Sequence, residues 1–278
     1  RACLGVATTY AANALGTYPM ILFGNEQQKK TYLPDIAAGK RLVAFGLTEA
    51  NAGSDAAGIQ TTAKLDGNEY VLNGTKQWIT NGGEAEIDTI IAMTDKSKGP
   101  RGASAFIVEK GTPGFQFGKK EKKMGIRTSS TRELIFDNCR IPKDNIIGKE
   151  GLGFIIAMRT LDNARAGVGA QGVGVAQGAF EEAVKFARQR VQFGHPIISF
   201  QAVQHMLADM ATEIVEMGTV SSRGQIAIPS SIREEMGLEE GSKVMFLLKD
   251  HTVMLRKIVP ESWEEITRPL KEAAKKSG

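Results

Sequence analysis

The chain has little of what marks secreted, membrane-spanning or strongly nucleic-acid-binding proteins. It has two cysteines, Cys3 and Cys139, without CxxC spacing. That argues against a disulfide framework or a zinc site and fits a reducing, cytoplasmic setting. Excess charge is also scarce: 35 Lys and Arg stand against 31 Asp and Glu, a net +4. Bulk charge therefore points to no polyanionic partner, and any nucleic-acid role has to rest on a local motif. No apolar run approaches the roughly 20 residues that cross a bilayer, so no membrane partner is expected. No signal peptide is visible, and Arg1 in place of methionine reads as the interior of a longer product.

What is present is the composition of a soluble globular protein. Of 278 residues, 42% are hydrophobic and 24% charged, with room for one large domain or two ordinary ones. Residues 2–18 are alanine-rich with helical spacing, and a second helix is expected near 27–36, interrupted by Pro34. From Arg41 the texture changes to short runs such as VAFGLTE, TTAKLDG, YVLNGTKQWITNG and ASAFIVE, which read as strands of a barrel or sandwich. Asp66-Gly67 and Asn73-Gly74 are hairpin signals. Residues 154–188 form one long amphipathic stretch. Residues 201–217 form another, in which Val203, Met206, Leu207, Met210, Ile214 and Met217 recur near a 3.5-residue period. At Thr219 the pattern turns to strands, a short helix and two more strands, with a helical tail over 263–276. The expected fold is α+β. Its expected segments are a helical piece (1–40), a β-domain (41–148), the start of a second helical domain (149–217), a small module (218–260) and a tail (261–278).

Gly167 to Gly172 spells GxGxxG. A dinucleotide site needs a strand before that motif and a helix start after it. Here it lies within a helical pattern, so the small residues are expected to let two helices approach closely.

Residues 47–63, LTEANAGSDAAGIQTTA, combine a glycine–serine loop suited to backbone and hydroxyl contact with a pyrophosphate. Residues 78–82, WITNG, add an aromatic that can lie on a flavin ring and a hydroxyl that can bond a ring nitrogen. With LGTYPMILFGNEQQKKTYLPDIAAGK before them, and KMGIRTSSTRELIFDNCRIPKDNIIG, LDNAR and RVQFGHPIISFQ after, they closely resemble the acyl-CoA dehydrogenase family over residues 1–217. The resemblance implies FAD and an acyl-CoA thioester. It implies that Phe45, Leu47, Thr48, Gly53, Ser54, Trp78, Ile79 and Thr80 line the cofactor. Ser54, Asp162 and Arg165 would meet the substrate, and Arg190 and Gln201 would reach the FAD of a neighbouring subunit in a tetramer. Read singly, Trp78 on an alternating strand is more often core, Asp162 and Arg165 form a surface pair, and Lys119, Lys120, Lys122 and Lys123 are a solvated loop rather than a CoA-phosphate site.

The family reaction needs a carboxylate base, which typically contributes ~10²–10⁴-fold. The family holds it late in the C-terminal helical domain or, in one branch, just before the arginine of LDxxR. The chain leaves the family pattern near Met217, and Ala164 occupies the second position. No catalytic residue is therefore assigned, and a catalytically incompetent dehydrogenase fragment is expected.

Residues 219–258, TVSSRGQIAIPSSIREEMGLEEGSKVMFLLKDHTVMLRKI, resemble the AbrB-type (SpoVT-AbrB) domain of regulators and antitoxins. Pro229, Ser231 and Glu234 mark a helix start and Gly237 its stop. So small a domain buries too little surface alone, and the family interleaves two chains into a swapped-hairpin barrel. The resemblance implies that Ser222, Arg223, Gln225 and Arg233 face DNA, or that the module binds a toxin protein. A regulator with an inert or acyl-CoA-sensing front half and an unnatural joining of two reading frames remain as alternatives.

Overall fold

The alanine-rich N-terminal spacing becomes helix α1 (Leu4–Phe23) in the computed structural model, which describes residues 3–216, 233, 236–239, 242, 244–249 and 252–257. The helix runs through Pro19, beyond the expected end at 18. Helix α2 (Glu26–Ala37) opens with a capping box: Gln28 N donates to Asn25 Oδ1, and Asn25 N donates to Gln28 Oε1. Pro34 does not interrupt it. The proline sits in the last turn, where its missing N–H leaves one carbonyl unmatched without severing the ladder, and its own carbonyl accepts from Ala38 N at 3.0 Å.

The β-domain strands are β1 (Val43–Gly46), β2 (Thr62–Asp66), β3 (Glu69–Thr80), β4 (Ile87–Met93), β5 (Ala103–Glu109), β6 (Phe115–Phe117), β7 (Thr131–Pro142) and β8 (Ile146–Ile147). They form one sheet in the order β6-β7-β3-β2-β4-β5-β8, with β1 parallel on β4. Gly67, at φ +61°, opens the two-residue loop joining β2 to β3. Asn73-Gly74, expected as a hairpin, instead lies inside β3 at a register shift against β7. There Gly74 takes φ +140°, and a Cβ on it would fall 2.6 Å from Thr61 Oγ1, so close packing rather than a turn requires glycine.

Apolar side chains fill both faces of this sheet. Along β4, Ile87, Ile91 and Met93 join one cluster and Ile90 and Ala92 the other, the two-residue alternation of a strand covered on both sides. The first cluster is closed by Met20 of α1, Tyr32 and Ile36 of α2, and Ile156 and Ala157 of helix α3 (Gly153–Gln189).

The GxGxxG string is interior to α3. A Cβ on Gly167, Gly169 or Gly172 would meet nothing within 4 Å. The glycines themselves are open, whereas α1 reaches this stretch beside them, where Thr8 Oγ1 donates to Gln171 Oε1 at 3.4 Å. After α3, a short hairpin of β9 (Val191–Gln192) and β10 (His195–Pro196) turns through Phe193 and Gly194, both at positive φ, and α4 (Gln201–Glu216) follows.

The chain divides into two compact units, residues 1–207 and 208–278. In the second, β11 (Val244–Lys249) and β12 (Thr252–Lys257) pair antiparallel from Val244↔Lys257 to Lys249↔Thr252. Gly237 takes φ +59° and Leu238 N donates to Arg233 O at 2.7 Å, the 6→1 bond of a glycine-terminated helix end. Ser222, Arg223 and Gln225 lie outside the described residues, as do much of the expected barrel and the 261–278 tail, whereas Arg233 is described and exposed.

Candidate functional site

The end of β1, the end of β3, α1 and α3 together enclose a cavity of about 190 Å³. Helix α1 is fastened to the sheet before it forms a wall. Val43 N donates to Asn13 Oδ1 at 2.6 Å, Thr89 Oγ1 donates to Gly16 O at 2.9 Å, and a Cβ on Gly16 would lie 2.6 Å from Val43 Cγ1. This seat sets Ala12 and Leu15 beside Phe45, Leu47 and Thr48, with Leu161 of α3 completing the apolar side.

The opposite wall is Trp78, Ile79 and Thr80. Between the pairs Lys76↔Leu134 and Ile79↔Arg132, β3 carries one residue more than β7, which makes a β-bulge. Trp78 sits on it at φ +61° and is 57% exposed. A large aromatic in the left-handed region is strained, at a cost of order 1–3 kcal/mol, and persists where its surroundings over-determine it. Here those surroundings are identifiable. Gln77 N donates to Thr48 O at 2.8 Å, tying the bulge to the loop after β1. Asn81, at φ +66°, donates from N to Ser130 O and from Nδ2 to Thr9 O and Val43 O. The bland expectation of a core tryptophan is corrected: the bulge turns the indole out of the alternating pattern.

Beneath this wall lies a buried ion pair that the sequence reading did not single out. Lys76 Nζ, wholly buried, donates to Glu49 Oε1 at 2.7 Å and to Leu47 O at 3.0 Å. Glu49 also accepts from Gln60 N at 2.6 Å and Thr61 N at 3.0 Å. Burial pushes the Lys76 ammonium down to about 8 against the pull of Glu49. Burial also disfavours the Glu49 carboxylate, but Lys76 and the Gln60 and Thr61 donors outweigh it and hold the carboxyl below its usual value. One signal was available: Tyr70, Leu72, Gly74 and Lys76 share a face of β3, so Lys76 is a lysine at an inward position.

Six residues expected around a flavin, Phe45, Leu47, Thr48, Trp78, Ile79 and Thr80, line the cavity. Gly53 and Ser54 are exposed on the loop after β1 and do not line it. Gly53 is not at positive φ, and a Cβ there would meet nothing within 4 Å. No contact within the chain therefore demands glycine at this position. Asp162 and Arg165 lie on α3, 4.0 Å apart, next to the lining residue Leu161. Arg190, at the end of α3, and Gln201, at the start of α4, are exposed and away from the lining. Ala164 is on α3, and the cavity is lined by no carboxylate among the described residues. Of the lysine cluster, Lys123 turns inward to Ser129 O and Thr131 Oγ1 at 2.6 and 2.9 Å, while Lys119, Lys120 and Lys122 are exposed.

Comparison with known proteins gives these positions a context. Models of the N-terminal, middle and C-terminal domains of acyl-CoA dehydrogenase match residues 1–40, 44–139 and 151–220. A model described as antidote-toxin recognition MazE, bacterial antitoxin, matches residues 219–263. The acryloyl-CoA reductase (NADH) of Anaerotignum propionicum is 52% identical over 77% of the chain and 55% of its own length. The butyryl-CoA dehydrogenase structure from Megasphaera elsdenii superposes with TM-score 0.75 at 52% identity, over 76% of this chain and 56% of that one. An acyl-CoA dehydrogenase complexed with FAD from Bacillus anthracis gives 0.72 at 46% identity, over 76% of this chain and 36% of that one. The chain thus spans about half the length of the curated relatives it matches.

Proposed function

We propose, taking residues 1–220 as a segment of an acyl-CoA dehydrogenase, that the cavity beside Trp78 binds the isoalloxazine of FAD and that the same face receives an acyl-CoA thioester. The observation that carries this reading is an exposed indole, held on a strained bulge, forming one wall of a cavity otherwise lined by apolar residues and the two threonines Thr48 and Thr80. FAD, when bound, supplies the acceptor for the β-hydride of the thioester. The chain's own residues would do the rest. Trp78 offers an aromatic surface, and Thr80 a hydrogen-bond partner for a ring nitrogen. Leu15, Phe45 and Leu47 exclude water, and Gly53 and Ser54 offer backbone and hydroxyl groups to the pyrophosphate. Asp162 and Arg165 would meet the acyl-CoA, and Arg190 and Gln201 the flavin of a second copy in a homo-oligomer.

Turnover is expected to be slow, because α3 carries Ala164 where one branch of the family holds its base and the sequence passes at 219 into a segment of another kind. The full chain supplied with FAD, butyryl-CoA and an artificial acceptor should remain below ~1 s⁻¹, the bottom of the ordinary enzyme range. Faster turnover removes the claim of incompetence. Flavin fluorescence titration should show binding that Trp78→Ala weakens, and a Kd unchanged by that substitution contradicts the site.

The match at 219–263 supports a second, separate role. It fits an AbrB-type module that dimerises and sets Ser222, Arg223, Gln225 and Arg233 against DNA, or binds a toxin protein. Retardation of duplex DNA by the full chain should then fall with salt, as phosphate contacts release counterions, and Arg223→Ala should weaken it. Dimers that retard no DNA at low salt favour the protein partner.

A further inference from the structure

The proposed flavin wall depends on two strained or irregular segments that meet end to end, the loop after β1 and the bulge in β3. Neither belongs to a regular ladder at the point of contact. The loop carries Leu47 and Thr48 to the cavity, and its course from Glu49 to Thr61 is fastened by four hydrogen bonds from three donors converging on Glu49 and Leu47. Glu49 takes Gln60 N, Thr61 N and Lys76 Nζ, while Leu47 O takes the second bond from Lys76 Nζ. Lys76 is the last residue of β3 in register before the bulge that presents Trp78, and Gln77 N on the bulge donates to Thr48 O. One lysine side chain therefore joins the residue preceding the bulge to both ends of the loop segment that faces it.

The local sequence makes room for this reach. A Cβ on Gly46 would lie 2.6 Å from Ile90 Cδ1, so the packing of Ile90 requires glycine at the end of β1, and Lys76 Cγ and Leu134 Cδ1 would stand 3.4 Å from the same point. The side-chain exposures of Lys76 and Glu49 are 0% and 9%, which excludes the screening that makes surface ion pairs nearly worthless. An isolated charge here would be severely penalised, so each partner needs the other.

We propose that Lys76 and Glu49 are a positioning pair, which sets the Leu47–Thr48 edge and the Trp78 bulge in the spacing that the cofactor requires without touching it. This rests on the flavin reading for its purpose but not for its geometry. The experiment uses the full chain and two readouts. Amide hydrogen exchange without flavin compares the unsubstituted chain with Lys76→Met, which removes the donor, and with Glu49→Gln, which removes the charge and keeps one oxygen, enough for Thr61 N and Lys76 Nζ, while its NH2 faces Gln60 N. Lys76→Met should raise exchange roughly tenfold at Gln60, Thr61 and Gln77, about the factor for losing one hydrogen bond to a charged group. Ile91 and Ile107 should stay protected in both variants. Glu49→Gln should raise exchange at Gln77 and Gln60 more than at Thr61, whose acceptor oxygen remains. Unchanged exchange at Gln77 in both variants, or a uniform rise across the sheet, overturns the pair as a positioning device. Flavin titration is the second readout. Binding by the unsubstituted chain that is unaltered in affinity and visible spectrum in both variants also overturns it. If the unsubstituted chain binds no flavin, the reading of function fails, and the exchange pattern alone decides whether the clamp exists.

Discussion

Along β4 every side chain from Ile87 to Met93 is buried, whereas along α3 burial stops after Thr160 and returns only at Ala187. Both elements carry apolar residues, but β4 lies between two clusters, while Val168, Val175 and Phe186 of α3 are exposed. The difference shows where this unit is self-sufficient. A strand with neighbours on both edges and cover on both faces finds all its partners within residues 1–207. The first turns of α3 are held by the sheet, while farther along a Cβ on Gly167, Gly169 or Gly172 would meet nothing within 4 Å. β4 also contains the unit's clearest internal conflict. Asp88 is wholly buried between Ala44 and Val108, and neither carboxylate oxygen has a hydrogen-bond partner. Burial pushes its carboxyl well above the usual value, with Lys110 pulling weakly the other way and Glu86 adding to the rise.

The contrast can be broken most forcefully at its buried end. Ile91→Ala removes a fully buried side chain of β4 and should cost about 2–5 kcal/mol in urea unfolding of the full chain followed by circular dichroism. A loss under 1 kcal/mol would mean that the sheet collapses around the cavity and is less tightly packed than its burial implies.

Asp88→Asn sharpens the contrast through pH. The unfolded carboxyl releases its proton near pH 4, and the folded one holds it to a higher pH. Above about 4 the folded state therefore binds more protons, and stability falls as pH rises toward the raised folded value. Asparagine removes that slope. The variant should gain on the parent as pH rises above about 4 toward the raised folded value, read in thermal melts. A gap independent of pH would show that Asp88 is ionised or paired in the folded chain.

The smallest effect belongs to the exposed end. Val168→Ala on α3 should change unfolding free energy by no more than about 0.5 kcal/mol, as at other exposed sites. A loss several times larger that depends on protein concentration would mean that a second chain covers this face in solution.

Much of the architecture is legible along the chain. Helical spacing in 154–188 corresponds to α3 within a residue at each end, and the strand texture after Arg41 corresponds to strands beginning at Val43. Tight-turn chemistry was read correctly at Gly67 and wrongly at Gly74, although both follow an Asp or Asn. Local sequence shows that glycine is wanted. Whether it is wanted for a turn or because Thr61 packs against it depends on a residue outside the window. The site shows the same division. The motif residues Leu47, Thr48 and Trp78–Thr80 stand out in the sequence, whereas Ala12, Leu15 and Leu161 of the cavity wall carry no chemistry to notice and enter through helix packing.

The sequence by itself determined the order of helices and strands, the apolar faces they bury and the loop residues that meet at the cavity, because periodicity and turn preference act within a few residues. Only the tertiary structure decided that Trp78 faces outward, that Lys76 and Glu49 find each other across 27 residues, and that Asp88 is left without a partner. Strand alternation assigns a side chain to one face or the other. It contains no record of how many residues the neighbouring strand sets opposite. One extra residue on β3 between Lys76 and Ile79 is enough to reverse the direction of an indole, and that count exists only once β7 is paired beside it.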